Sequence, residues 1–197
     1  IPSFSNFAVQ IDNFVIEKGQ ITFRNTPKGR MERIKNLNGK FRLASLDGPM
    51  DMDGSAVVRG IPLSFSASIG QIVKDRTLPF SLVGKVIPGN AEITYSGAVS
   101  NLREQPVLKG KFSLKGANLS SFISGVANGY ALPSALSRPF SARATITASQ
   151  KLFAASDLIF TLDDTKGTGQ ITALLGSSAD TTVVLAINKL NLDKLLS

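Results

Sequence analysis

Strict alternation of apolar and polar residues runs through most of the chain, and it restricts the fold more than any other feature. Between residues 61 and 69, Ile61, Leu63 and Phe65 alternate with polar or small residues. Successive side chains of a β-strand point to opposite faces, so this period predicts strands with one apolar and one polar face. The same alternation recurs in segments 78–86, 91–99, 108–114, 140–148, 158–162, 171–175 and 183–187.

Short segments rich in Gly, Pro, Asp and Asn separate these strands, as at Pro88-Gly89-Asn90. Connections this short join antiparallel neighbours. The chain is therefore predicted to be mainly β and to form an antiparallel meander with one solvent-exposed face. Before residue 60, Glu17-Lys18-Gly19 is interpreted as a hairpin turn. A basic connection at residues 25–30 then leads to one long, bulged strand from Ile34 to Leu46.

Two short helices are predicted after Asn118 and Asn191, where an Asn can cap the backbone N–H groups of the following turn. The flanking sequences 114–124 and 187–197 resemble each other. We interpret the chain as one domain, 1–197, with two internal units at about 1–124 and 125–197 as a further hypothesis.

The composition excludes most enzyme classes. The chain has no His and no Cys, which removes most hydrolase triads, the thiol enzymes and the usual zinc ligands. Two carboxylate pairs, Asp51 with Asp53 and Asp163 with Asp164, are interpreted as ordinary strand and turn residues, because each pair is local. We predict no enzyme activity, no catalytic residue, no metal and no cofactor.

No apolar run reaches the roughly eighteen residues that a membrane-spanning helix needs. The chain begins with Ile1-Pro2 and lacks an initiator Met. We expect it to be an excised segment of a longer protein.

Positive charge is concentrated near the start of a chain whose net charge is +8. Either these residues form a solvated strand face, or they attract an acidic partner such as anionic lipid headgroups. Nucleic acid is the weaker partner because the chain has only two Tyr and no aromatic platform beside the charge. The predicted headgroup or acidic-partner contacts are Lys18, Arg24, Lys28, Arg30, Arg33, Lys35, Lys40 and Arg42.

The alternation does not decide what covers the apolar face. The sheet either closes into a sandwich or barrel with a dry core, which the periodicity alone favours, or stays open as an apolar trough. Small residues such as Ala67, Ala142 and Ala144 would leave room for a ligand, but they also allow close packing between sheets.

Several segments resemble the AsmA family. Residues 11–23 are similar to the family's opening pattern of apolar strand, short turn, Gly and apolar strand. The similarity continues through four turn motifs: Leu37-Asn38-Gly39, Leu46-Asp47-Gly48-Pro49, Gly54 and Gly60-Ile61-Pro62-Leu63. It ends in segments 158–169 and 190–196.

The resemblance implies a role in the envelope of Gram-negative bacteria. AsmA-like proteins are usually anchored in the inner membrane by an N-terminal helix, with the remainder in the periplasm, and they are regarded as relatives of bridge-like lipid-transfer proteins with repeating β-grooves. The resemblance therefore implies a periplasmic module that serves lipid transport and outer membrane biogenesis. Its parent protein would be anchored in the inner membrane. The expected partners are phospholipid or another envelope lipid, the membrane surface through the parent protein, and other envelope proteins.

With this resemblance, the expected fold is a strongly twisted or curved antiparallel sheet that forms a groove or half-barrel. Its concave face would bind lipid acyl chains. The alternative is a non-enzymatic assembly or scaffold module with a dry β-core that recruits a protein partner by strand addition. The predicted lipid-binding residues are Ile61, Leu63, Phe65, Leu78, Phe80, Leu82, Ile93, Phe112, Phe140, Ile146, Phe160, Ile171, Val183 and Leu185.

Overall fold

The computed structural model contains one sheet of 11 strands that follow one another in chain order. It describes residues 11–25, 30–45, 48–71, 77–102, 104–127, 130, 132–175 and 180–188. Every strand pairs antiparallel with its sequence neighbours. The strands are β1 (Ile11–Asn25), β2 (Arg30–Leu43), β3 (Met50–Val58), β4 (Ile61–Ile69), β5 (Leu78–Val86), β6 (Ala91–Ser100), β7 (Val107–Gly116), β8 (Phe140–Ala148), β9 (Leu152–Leu162), β10 (Thr165–Leu174) and β11 (Asp180–Ile187).

The predicted fold class is confirmed, and the choice between a closed and an open sheet is decided. The described strands form a mainly β, antiparallel sheet that does not close on itself. The closed core favoured by periodicity alone is therefore wrong. Alternation determines the polarity of each face, but it carries no information about a second layer.

The strand register assigns each side chain to a face, because directly paired residues point to the same side. One such row is apolar and runs from β4 to β8 through Ala67, Leu82, Tyr95, Phe112 and Ala144. We call this side of the sheet the apolar face. The neighbouring row lies on the opposite, polar face and consists of Ser66, Val83, Thr94, Ser113 and Arg143.

The hairpin predicted at Glu17-Lys18-Gly19 is wrong. β1 continues through these residues as one strand, paired with β2 on both sides of two register shifts. Lys18 has a φ of 51°, and its N–H donates to the Asn38 Oδ1 at 2.9 Å. The turn-like composition therefore marks a bulge, which bends the strand without reversing it. The bulge expected in the next strand is present between Lys35 and Asn38.

One helix, α1 (Leu119–Val126), follows β7 and packs on one end of the apolar face. As predicted, Asn118 is its N-cap, with Oδ1 accepting from the Ser121 N–H at 2.8 Å. Phe122 packs with Phe140 at a ring-centroid distance of 5.4 Å and forms the main buried cluster with Val86 and Ala91. None of the helices in the described ranges is long and apolar enough to cross a membrane.

The second predicted helix, after Asn191, lies outside the described residues. The sheet continues across residue 124, since β7 pairs with β8 along its full length. The division into two internal units stays a hypothesis.

Replacement of Asn118 by Ala tests the cap of α1. We expect Asn118→Ala to lower the free energy of unfolding by about 1 kcal/mol, because the Ser121 N–H loses its acceptor. Asn118→Asp retains an acceptor oxygen and should stay close to wild type. Urea denaturation measures both variants, and equal loss in the two would show that the cap contributes little.

Candidate functional site

The apolar face is the strongest candidate for a functional surface. The strand register places all fourteen predicted lipid-binding residues on this one face. Only Phe140 among them is buried, and it lies beneath α1. Val183 and Leu185 at the β11 edge are about half exposed, and the other predicted residues are partly buried.

This face carries no charge across most of the sheet. From β3 to β11, the register assigns no Asp, Glu, Lys or Arg to it. Its polar side chains in these strands are those of Tyr95, Thr165 and Thr181. A surface without charge over nine consecutive strands is suited to hydrocarbon and unsuited to a charged ligand.

Within the described part of the chain, only α1 and the turn before β6 cover this face. Nine strands at about 4.8 Å spacing, each about 26 Å long, present about 1,000 Å². The eight residues of α1 make a helix about 12 Å long and 10 Å wide, which covers about 120 Å². Soluble monomers rarely expose an apolar patch of more than a few hundred Å² without a function for it.

The total exposed surface supports the same conclusion. The chain exposes 13639 Å², whereas a folded monomer of 20.9 kDa usually exposes about 9,000 Å². No side chain among the described residues is less than 2% exposed. Among the described residues, the sheet therefore lacks the dry interior of a globular domain, and much of its apolar face stays accessible.

Small residues form the floor of the apolar face. Ala56, Ala67, Ala91 and Ala155 are among its most buried side chains. The outer atoms of aromatic rings reach over glycines on neighbouring strands, as those of Phe140 do at Gly116, where a Cβ would collide with the ring. Gly54, Gly97 and Gly110 stand in regular register and do not mark bulges. The glycines therefore leave space that neighbouring rings occupy.

Tyr95 supplies the one polar atom buried in the floor of this face. The residue is 8% exposed, and its ring packs against Phe80 at a centroid distance of 5.6 Å. The hydroxyl lies over Gly97 and Gly110, where an added Cβ on Gly97 would come within 2.5 Å of it. Among the described side chains, the Tyr95 hydroxyl is the buried polar group without a hydrogen-bond partner. Burial raises the pKa of Tyr95.

Four of the predicted basic contacts lie on the polar face of the sheet. Arg33, Lys35, Lys40 and Arg42 are exposed and belong to the polar face. The Arg42 guanidinium lies 3.9 Å from the Asp53 carboxylate. Lys18 is exposed in the β1 bulge, Arg24 and Arg30 lie in β1 and β2, and Lys28 lies outside the described residues. A lipid on the apolar face would therefore have the thickness of the sheet between its tails and these side chains.

The carboxylate pairs do not come together. Asp51 and Asp53 lie on β3 and accept hydrogen bonds from Ser68 and Ser66, the latter at 2.6 Å. Asp163 and Asp164 form the β9–β10 turn, six strands away, or about 29 Å. The described residues include no group of three or more His, Cys, Asp or Glu that could hold a metal ion.

Sequence reasoning placed Tyr95 on the apolar face but did not single it out. The available signal was that Tyr95 is one of two tyrosines in the chain and the single hydroxyl within its apolar alternation. That its hydroxyl lacks a partner depends on Gly97 and Gly110 meeting across β6 and β7, which the strand pattern does not reveal.

No protein-family model matches the chain, and no curated protein or solved structure shows significant similarity to it. The function therefore has to be argued from the geometry of the apolar face.

The environment of Tyr95 predicts a pH effect. Its pKa is raised in the folded state, so the stability it contributes is present below the unfolded-state pKa of about 10 and is lost as pH rises through the folded-state pKa. In Tyr130→Phe, tyrosinate absorbance should show Tyr95 ionising above its ordinary pH. Tyr95→Phe should lose less stability than wild type over the same alkaline range. Ionisation at or below the ordinary value would contradict the burial of the hydroxyl.

Proposed function

We propose that this protein is a lipid-binding module that holds acyl chains on the apolar face of its open sheet. One observation carries the proposal: nine consecutive strands present an uncharged, largely uncovered apolar face. Each methylene that moves from water to such a surface contributes about 0.8 kcal/mol, so one long chain supplies substantial binding free energy.

The arrangement favours transfer over permanent storage. An open face lets a chain enter and leave sideways, whereas a closed cavity would require the protein to open. The face needs no catalytic group, because moving a lipid breaks no covalent bond. We therefore propose a non-enzymatic lipid-transfer module, with phospholipid or another envelope lipid as its cargo.

We further propose the cellular setting that the AsmA-like motifs imply. The module would work in the periplasm of a Gram-negative bacterium, in a parent protein anchored in the inner membrane. Its exposed basic residues on the polar face, Arg33 and Lys35 among them, would meet an acidic envelope protein or a membrane surface beside the groove. They would not contact the headgroup of a lipid bound on the apolar face.

A scaffold module is the second candidate, and one observation favours it. All residues of β11 are exposed, and none from Thr181 to Ile187 is charged. An uncharged edge strand of this kind can pair with a strand of another protein. The dry core assumed for this alternative is absent from the described sheet, so strand addition would act beside lipid binding and would not replace it.

Adjacent residues on β5 offer a matched test. Leu82 points to the apolar face opposite Tyr95, and Val83 points to the polar face opposite Thr94. We expect Leu82→Glu to lower affinity for a fluorescent phospholipid at least about tenfold, because a carboxylate would be desolvated against the acyl chain. Val83→Glu should bind as wild type does.

Both variants should stay folded by circular dichroism, since neither residue lies in a closed core. Unfolding of Leu82→Glu alone would indicate a dry core, as the scaffold alternative assumes. Equal lipid affinity in the two folded variants would contradict binding on the apolar face.

A further inference from the structure

We infer that a bound lipid has a fixed orientation, with its tail ends beneath α1 and its headgroup at the opposite ends of the strands. The inference rests on the proposed function and adds a direction to it. Among the described residues, the two ends of the apolar face differ in cover and exposure, and these differences set the direction.

At one end the face is closed by α1 and the turn before β6. Phe122 of α1 forms a buried cluster with Val86, Ala91 and Phe140, and Leu63, Ile93 and Leu114 pack against it. The Gly89 carbonyl accepts from the Ala117 N–H at 2.9 Å and fastens the turn to the start of the helix. Gly125 lacks a Cβ where Pro88 approaches, which brings turn and helix into contact. An acyl chain can end against this apolar wall.

The covering segment has no charge with which to bind a headgroup. Residues 116–137 contain no Asp, Glu, Lys or Arg. The apolar face beneath α1 carries none either. A phosphate placed beneath α1 would lose its hydration without a charged group of this segment to pair with it, which is unfavourable. The closed end therefore accepts hydrocarbon and rejects the polar part of a lipid.

At the other end the described residues leave the face open. Leu78, Val99 and Leu108 lie there without a covering helix, and Phe153 is 36% exposed. Exposed polar and charged side chains stand in the adjoining turns, among them Glu104 and Lys151. A headgroup at this end would keep most of its hydration.

The dimensions fit a single tail laid along the strands. The nine residues of β5 span about 26 Å, whereas half of a bilayer's hydrocarbon core is about 15 Å thick. A tail that starts at α1 therefore reaches past the middle of the face. Tyr95 leans from the middle toward the open end, over Gly97 and Gly110. Its unpartnered hydroxyl thus lies on the side where the polar part of the lipid would be.

Photo-crosslinking can read this orientation directly. Two phosphatidylglycerol analogues would be used, one with a diazirine at the tail tip and the other with a diazirine in the headgroup. Trypsin leaves α1 in one peptide, residues 116–143, because Lys and Arg are absent from 116 to 137 and Arg138 precedes Pro139. Peptides 104–109 and 144–151 report the open end. Unlabelled phosphatidylglycerol in excess and the Leu82→Glu variant serve as controls.

The tail-tip probe should label peptide 116–143 at least about tenfold more than peptides 104–109 and 144–151, and the headgroup probe should show the reverse preference. Competed labelling in which the two probes exchange places, or mark both ends equally, would overturn the orientation and leave lipid binding intact. No competed labelling from either probe would overturn lipid binding, and the orientation with it.

Discussion

The antiparallel ladder between consecutive strands is the interaction on which the whole structure depends. Each of the 11 strands is held by its neighbours in sequence, and no second sheet packs on the described one. The hydrogen-bonded register therefore determines which side chains share a face of the sheet. Because that register is regular from β3 to β8, the alternation in the sequence becomes one continuous apolar surface. Among the described residues no second layer covers this surface, so structure and proposed function share one cause.

Local features of the sheet suit the mobile ligand that we propose for it. Alanines and glycines keep the floor low, and Phe140 and Phe160 lie over Gly116 and Gly167 on neighbouring strands. The helix α1 covers only one end, where its contact with the Pro88–Asn90 turn depends on close approach at Gly89 and Gly125. The result is a surface with one closed and one open end. Such a surface can hold a chain by area alone while leaving it free to slide, which a deep pocket would prevent.

The sequence predicted the strands and their faces well because a period of two is a direct consequence of strand geometry. It also predicted the N-cap at Asn118, a choice determined by local backbone chemistry. It failed at Glu17–Gly19, where turn-forming residues make a bulge, because only pairing with β2 shows that the chain does not reverse. A similar bulge at Asp157, with φ of 52°, shifts the alternation within β9. The openness of the sheet could not be predicted, since it depends on how the strands pair and on whether a second layer packs on them. The unpartnered Tyr95 hydroxyl could not be predicted either, since it depends on which residues meet across β6 and β7.

Native mass spectrometry of the protein purified from a Gram-negative host tests the central claim most directly, with organic extraction and identification of bound molecules. The account predicts co-purified phospholipid or another envelope lipid at close to one molecule per chain, and loss of that mass in Leu82→Glu but not in Val83→Glu. A protein that is free of lipid as purified, and whose mass is unchanged after incubation with phospholipid vesicles, would contradict it.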